Sequence, residues 1–308
     1  MAEKDWIRRY FAPLAKAPGA AGLTDDTAEL SKGYGPLIAT VDAMVEGVHF
    51  FSDDPVETVA RKLVRVNVSD ILASGAVPKE ALLTLGWPRQ GREEEQIATF
   101  ADSLGAELDR WGTHLAGGDT VSVPSGLFLS LTLTGECLGA SPVRRGGGRA
   151  GDDVWVTGEV GAARRGYLWK TEGQGEARWL SALREPILPP IEAARLISER
   201  ANAAMDVSDG LLGDLASLAG ASGLGAEIDL SAVPFAGGAA SLAEAIDLSS
   251  WGDDYQLLFS APPEAAAFIG DSGLKVTRIG RLLPAPGLVA SYCGKLVNLP
   301  ETIAFEHG

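Results

Sequence analysis

Apolar and polar positions recur along this chain in two rhythms, and each change of rhythm marks a strand giving way to a helix. The clearest case is Ala203-Ala204-Met205-Asp206-Val207-Ser208-Asp209-Gly210-Leu211. Its apolar lead-in predicts an interior strand, and Leu211, Leu212, Leu215 and Leu218 then repeat at helical spacing. Ser208 or Asp209 is placed to cap that helix. Asp206 closes an apolar strand, where a carboxylate without a partner is costly to bury. Ligands of open α/β sheets gather at such carboxyl ends.

The same alternation fills both halves. An amphipathic helix over residues 6–14 precedes a strand at 37–41 that closes on Asp42. Val59, Leu63, Val66 and Ile71 predict a helix over 55–74, stopped by Gly75 and Pro78. A strand at 81–87 and a helix over 92–111 follow, then an apolar segment from Leu115 that ends in Gly117-Gly118-Asp119. Residues 127–137 alternate with period 2 and predict a half-wet strand. The Gly- and Arg-rich residues 141–151 predict a linker. Beyond it come a strand at 153–157, a turn at 158–161, helices through Arg184 and over 191–200, and the central strand and helix. A strand at 226–230, a Gly/Ala-rich helical segment up to Ala245 and a strand at 256–259 complete the reading. This alternation predicts a mixed α/β architecture. Val68-Ser69-Asp70-Ile71-Leu72 echoes Val207-Ser208-Asp209-Gly210-Leu211, a hint of two related halves.

Composition narrows the function. A length of 308 residues suits two domains, placed at 1–140 and 150–308. Lys and Arg number 26 against 41 Asp and Glu, a net charge of −15 that argues against nucleic acid or an anionic membrane as partner. Cys137 and Cys293 stand far apart with no metal-spaced neighbour, so neither a disulfide framework nor a zinc site is indicated. The first ten residues are charged, no run reaches the length of a membrane span, and the expected address is the cytoplasm.

Six carboxylates stand beside glycine, serine or threonine at expected strand ends and turns: Asp26, Asp42, Asp70, Asp119, Asp206 and Asp209. Each alone is as easily a turn or cap residue as a ligand. Together, such hard oxygen donors suit Mg²⁺ or Ca²⁺, and Mg²⁺ held by few carboxylates points to nucleotide phosphates. Neither a Walker A loop nor a kinase-type glycine loop with its lysine is present, so Arg144 is the candidate phosphate donor, against a solvated linker residue as the ordinary reading. His49 is read as packed or surface unless partners join it, and no covalent nucleophile is expected.

The order of motifs resembles the thiamine-monophosphate kinases, a family of the aminoimidazole ribonucleotide synthetase-like superfamily. The matching stretches are Asp25-Asp26-Thr27-Ala28, Val45-Glu46-Gly47-Val48-His49-Phe50, Asn67-Val68-Ser69-Asp70, Gly117-Gly118-Asp119-Thr120, residues 151–158, residues 205–211 and residues 253–259. The resemblance implies the two-domain fold of that superfamily, with the N-terminal sheet contributing to a homodimer interface. It implies direct transfer of the ATP γ-phosphate to thiamine monophosphate, with several Mg²⁺ ions. By matched position, Asp26, Thr40, Val41, Asp42, Asp70, Asp119, Asp206 and Asp209 would hold metal. Gly118, Asp119, Arg144 and Ser208 would contact ATP, and His49, Asp253 and Phe305 the thiamine substrate. Thr24 stands where the family has glycine and Val41 where it often has threonine, which leaves only a carbonyl for metal. Asp253 and Gln256 each stand where glutamate is expected. The alternatives are another ATP-using enzyme of the superfamily or a non-catalytic nucleotide binder. Selenophosphate synthetase would carry a Cys near its start and the hydrogenase maturation factor a Cys-bearing tail, whereas here the first Cys is Cys137 and the chain ends Phe305-Glu306-His307-Gly308.

Overall fold

The computed structural model describes residues 3–23, 28, 30–88 and 93–304, and the chain divides into two compact units, Met1–Ile71 with Val77–Ala140 and Leu72–Ala76 with Ser141–Gly308. In the first unit, α1 (Glu3–Trp6) continues as a π-helical turn over Ile7–Phe11 and a 3-10 turn over Ala12–Leu14. The expected single helix is therefore wound in three geometries, and Pro13, with no N–H to give, falls in its last turn.

Strands β1 (Leu37–Val45), β2 (Ala76–Pro88), β3 (His114–Val123) and β4 (Phe128–Cys137) form a sheet in the order β1-β4-β2-β3. β1 and β4 are antiparallel, β2 and β3 parallel. Leu129, Leu131 and Leu133 are fully buried on one face, which α2 (Val56–Ala73) and α3 (Glu94–Arg110) cover. Gly135 lets α2 come close, because a Cβ there would stand 2.6 Å from Ile71 Cγ2. Trp87 meets Phe100 of α3 edge-on at 6.3 Å. Arg65 ties the two helices through paired bonds of 2.8 and 3.1 Å to the buried Glu107 carboxylate, which also accepts from Trp111 Nε1. Burial alone would raise the pKa of Glu107, but Arg65 and Trp111 hold it below its usual value. Removing one partner of such a buried pair costs roughly 3–5 kcal/mol.

The opposite face of this sheet is open. Alternation turns Leu37, Val41 and Val45 away from the helices, and they are 47 %, 61 % and 37 % exposed. Phe128 and Val121 are exposed as well.

The second unit holds β5 (Asp153–Thr157), β6 (Ala203–Asp206), β7 (Gly225–Asp229), β8 (Leu257–Ala261), β9 (Val276–Leu283), β10 (Gly287–Tyr292) and β11 (Lys295–Val297), ordered β11-β10-β7-β9-β5-β8-β6. Its helices are α4 (Ala162–Glu172), α5 (Leu180–Arg184), α6 (Glu192–Arg200), α7 (Leu211–Ala221), α8 (Leu242–Ser249) and α9 (Ala266–Gly270). β5 and β6 both run antiparallel to β8, which lies between them. Their carboxyl ends therefore emerge together, beside the start of β8. Leu211, Leu212, Leu215 and Leu218 anchor α7 in the core, each wholly buried and contributing about 1.5–3 kcal/mol.

Two expectations are corrected here. The stretch before α8 is not helical: Gly237 and Gly238 take φ of 73° and 79°, and the helix starts only at Leu242, where Ser241 Oγ accepts the Glu244 N–H. Residues 141–151 are no loose linker. A Cβ on Gly146 would meet Ala221 O at 2.6 Å, and one on Gly147 would meet Asn202 O at 2.2 Å, so the glycines let the segment lie flat on the second unit. The Arg144 carbonyl accepts the Ala204 N–H at 3.1 Å.

Candidate active site

The first unit brings together three of its expected residues. Thr40 and Asp42 point from β1 toward α2, and Thr40 Oγ1 donates to Asp70 Oδ2 at 2.5 Å. Burial, and then the nearby Asp70 carboxylate, push the pKa of Asp42 up to about 6. Two acids held this close repel each other, and a divalent cation is the natural neutraliser. Val41 lies between them in sequence, but its side chain faces the other side of the sheet.

Asp119 is not at a strand end, as expected, but within β3, paired with Thr84 and exposed. β1 and β3 are the two edges of the sheet, so three strand spacings of about 4.8 Å separate Asp119 from the Asp42 row. A single ion cannot touch both within this unit. Gly118 before it is required, since a Cβ there would stand 2.0 Å from the Leu83 carbonyl oxygen.

His49 is oriented by its own strand. Its Nδ1 accepts the Val45 N–H at 3.0 Å, which in the neutral ring leaves the proton on Nε2. Lys62 Nζ donates to the His49 carbonyl at 3.1 Å.

In the second unit, Asp206 ends β6 only 4 % exposed, and the chain turns through Ser208 and Asp209 into α7. The expected cap is absent: Gly210, at φ 117°, is the N-cap, with no side-chain capping bond. Asp214, one turn into the helix, reaches back and accepts the Asp209 N–H at 3.1 Å. Burial first, then the Asp209 charge, raise the pKa of Asp214 to about 7, against the pull of backbone N–H groups and Arg145. With the turn held from within the helix, the side chains of Ser208 and Asp209 are not consumed as caps.

A second loop locks onto this turn. Asp253 N–H donates to Ser208 O at 2.9 Å and Tyr255 N–H to Val207 O at 2.8 Å. Asp253 and Tyr255 take φ of 67° and 50°, backbone conformations that side-chain-bearing residues adopt at a cost. Between them, the buried Asp254 accepts the N–H of Gly161 at 2.7 Å and of Ala163 at 3.5 Å at the start of α4. Burial outweighs these donors and pushes its pKa up to about 7. Gln256 is also structural. Its Oε1 accepts from Thr157 Oγ1 and its Nε2 donates to Ile187 O, the second bond being one that a glutamate could not make. Arg144 is exposed beside β6. Asp26 and Phe305 lie outside the described residues, though Ala304 packs where a Cβ on Gly213 of α7 would strike it.

Asp214 and Asp254 were not singled out by sequence reasoning. The available signal was a carboxylate inside an otherwise apolar helix start, and an acid doubled beside Asp253. Among the described residues no group of three or more His, Cys, Asp or Glu is arranged to hold a metal, and no helix is long and apolar enough to cross a membrane.

Asp214 allows a direct test. Replacement by Leu, which leaves the Asp209 N–H without its acceptor, is expected to lower stability by about 1–3 kcal/mol. Asp214→Asn keeps an acceptor and should retain most of it. Because the folded pKa of Asp214 lies above its ordinary value, its contribution to stability is full below about pH 4 and falls as pH rises to about 7. Denaturant melts across that range should therefore show a shallower decline for Asp214→Asn than for wild type.

Two family models match the chain: the AIR synthase related protein N-terminal domain over residues 24–137 and the corresponding C-terminal domain over residues 149–302. The class of this fold is thereby fixed. The thiamine-monophosphate kinase of Caulobacter vibrioides is 36 % identical, covering 99 % of this chain and 91 % of its own length. That of Leptospira interrogans is also 36 % identical, over 88 % of this chain and 89 % of its own. Among solved structures, AaThiL complexed with AMPPCP and TMP is similar with a TM-score of 0.76 and 31 % identity, covering 91 % of this chain and 90 % of that one. The chain belongs to the thiamine-monophosphate kinase family.

Proposed function

We propose that this chain transfers the γ-phosphoryl group of ATP to thiamine monophosphate, giving thiamine diphosphate and ADP. The observation that carries the reading is the turn at residues 206–210, where a buried acid, a hydroxyl and an exposed acid follow one another at the mouth of β6, beside Asp253. Phosphoryl transfer needs position and charge neutralisation rather than a covalent nucleophile, and a constellation of carboxylates with few bases suits it.

We assign several Mg²⁺ ions to Asp26, Thr40, the Val41 carbonyl, Asp42, Asp70, Asp119, Asp206 and Asp209. The donors are all oxygen, the choice of a hard cation, and the close Thr40, Asp42 and Asp70 group of the first unit supports the assignment. Bound there, Mg²⁺ would neutralise phosphate charge. Gly118, Asp119, Arg144 and Ser208 are assigned to ATP, and His49, Asp253 and Phe305 to the thiamine substrate. We read the domains as residues 1–140 and 150–308 and the working assembly as a homodimer, because the apolar open face of the four-stranded sheet asks for a cover. The reaction is placed in the cytoplasm, which supplies ATP.

The test is incubation of the protein with ATP, Mg²⁺ and thiamine monophosphate, followed by chromatography. Thiamine diphosphate should appear from the monophosphate and not from free thiamine. Bound ATP without product would overturn the reading in favour of a non-catalytic binder.

A further inference from the structure

Two carboxylates of the first unit hold a stretch of coil. Glu80 of β2 is only 2 % exposed, and it accepts from both groups that Ser31 offers, the backbone N–H at 3.0 Å and the hydroxyl. Glu136 of β4 takes the next hold: its Oε1 accepts the N–H of Tyr34 and, at 2.9 Å, that of Gly35. Its other oxygen pairs with Lys79 at 3.1 Å. Gly35 first, then Lys79 and Tyr34, keep the pKa of Glu136 below its usual value, so it stays charged.

The fit is close. A Cβ on Gly33 would stand 2.7 Å from Glu136 Cδ, and one on Gly35 2.5 Å from the Cys137 carbonyl oxygen, so glycine is what lets this backbone lie against β4. The two acids are themselves fixed. Glu80 N–H donates to Thr134 Oγ1, and that hydroxyl donates back to Glu80 O, each at 3.1 Å, which ties β2 to β4. Glu136 lies opposite Leu37, the first residue of β1, and Cys137 N–H donates to Pro36 O at 2.9 Å.

Surface coil ordinarily gives its N–H groups to water, and burying a carboxylate such as Glu80 to receive them is costly. Bonds from N–H to a charged oxygen are also about twice as strong as neutral ones, so the segment is held hard. Its place in the chain gives the reason. Asp26 stands five residues before Ser31, a span of at most roughly 17 Å, and Thr40 and Asp42 follow the segment in β1.

We infer that Glu80 and Glu136 are positioning residues of the phosphoryl-transfer site: they clamp residues 31–35 and so set how far Asp26 stands from the Thr40, Asp42 and Asp70 group. The inference rests on the kinase reading for what Asp26 binds, whereas the clamp is tested on the protein alone.

Lys32 and Tyr34 are both exposed, so trypsin and chymotrypsin have their side chains within reach, and cleavage there reports how freely the backbone opens. Cleavage should quicken about tenfold or more in Glu136→Ala, which loses two charge-assisted bonds, and about fivefold in Ser31→Ala, which loses one. Ser31 is exposed, so the second variant keeps the test open should the first not fold. Glu136→Gln, which keeps the oxygen that both N–H groups share, should restore most of the protection. With ATP and thiamine monophosphate present, the Mg²⁺ concentration for half-maximal turnover is expected to rise about tenfold in Glu136→Ala, the scale of a lost support behind a metal ligand. The KM for thiamine monophosphate should not move, a split that general loosening of the fold would not give. Unchanged cleavage in both alanine variants overturns the clamp. Faster cleavage with an unmoved Mg²⁺ requirement overturns the positioning role and leaves the kinase reading standing. Faster cleavage in a protein that makes no diphosphate upholds the clamp and overturns the kinase reading.

Discussion

Asp70→Asn is expected to lower kcat on the order of 1,000-fold, about 4 kcal/mol, while the protein melts at or above the wild-type temperature. The two halves of this expectation have separate causes. Catalytically, Asp70 is the acid that Thr40 touches and whose charge helps to lift Asp42, so it is central to the first-unit group. Structurally, it sits in the last turn of α2, where a helix disfavours a negative charge by about 0.3–1 kcal/mol, and its replacement also relieves the repulsion felt by Asp42. Steady-state kinetics with a thermal melt measures both. Wild-type turnover in the variant would remove Asp70 from the proposed metal set, and a collapsed melting temperature would make its role one of folding.

Gly252→Ala is expected to be nearly as damaging by another route. A Cβ at that position would stand 1.8 Å from the Ser208 carbonyl oxygen and 2.8 Å from its carbon, and a backbone carbonyl cannot swing aside as a long side chain can. The loop bearing Asp253 and the turn bearing Asp206 must then part, which breaks the bonds from Asp253 N–H and Tyr255 N–H. Overpacking of this kind costs about 1–3 kcal/mol, and activity should fall at least about 100-fold because two sets of proposed ligands lose their spacing. Gly220→Ala is the matched control. That glycine lies inside α7 with open space around it, so alanine should stabilise by roughly 0.5–1 kcal/mol and leave turnover alone. Equal losses in both variants would mean that glycine replacement in this unit acts through the fold at large.

Much of this architecture is written locally. Period-2 and helical repeats carried β1, α2, β4 and α7, because in each an inward face recurs at the spacing of its own backbone, while β5, buried on both faces, showed as a short run around Val154, Trp155 and Val156. The strands β9 to β11 escaped sequence reading. Arg278 and Arg281 interrupt the apolar rhythm of β9, and β10 and β11 are half-exposed at the rim of the sheet, so burial left a weak trace. The candidate site shows the same division. The acids themselves stand out beside small residues, but what holds them does not. Asp214 reaching back to Asp209, Asp254 bridging to α4 and Gln256 fastening Ile187 span 5, 93 and 69 residues, and the two long spans are pairings that no local pattern encodes. The Ser208 cap failed for a related reason, since the chain places Gly210 rather than Ser208 at the N-cap, and Asp214 from inside the helix holds the Asp209 N–H just ahead of it.

The glycine strap at residues 146–148 changes how the neighbouring Arg144 is to be regarded. A tether transmits only a maximum distance; a segment pressed against Ala221, Asn202 and Ser222 transmits a fixed one. With its own carbonyl bonded to Ala204, Arg144 is measured out along β6 like a mark on a ruler, and a residue inserted among the glycines would move that mark rather than lengthen a leash.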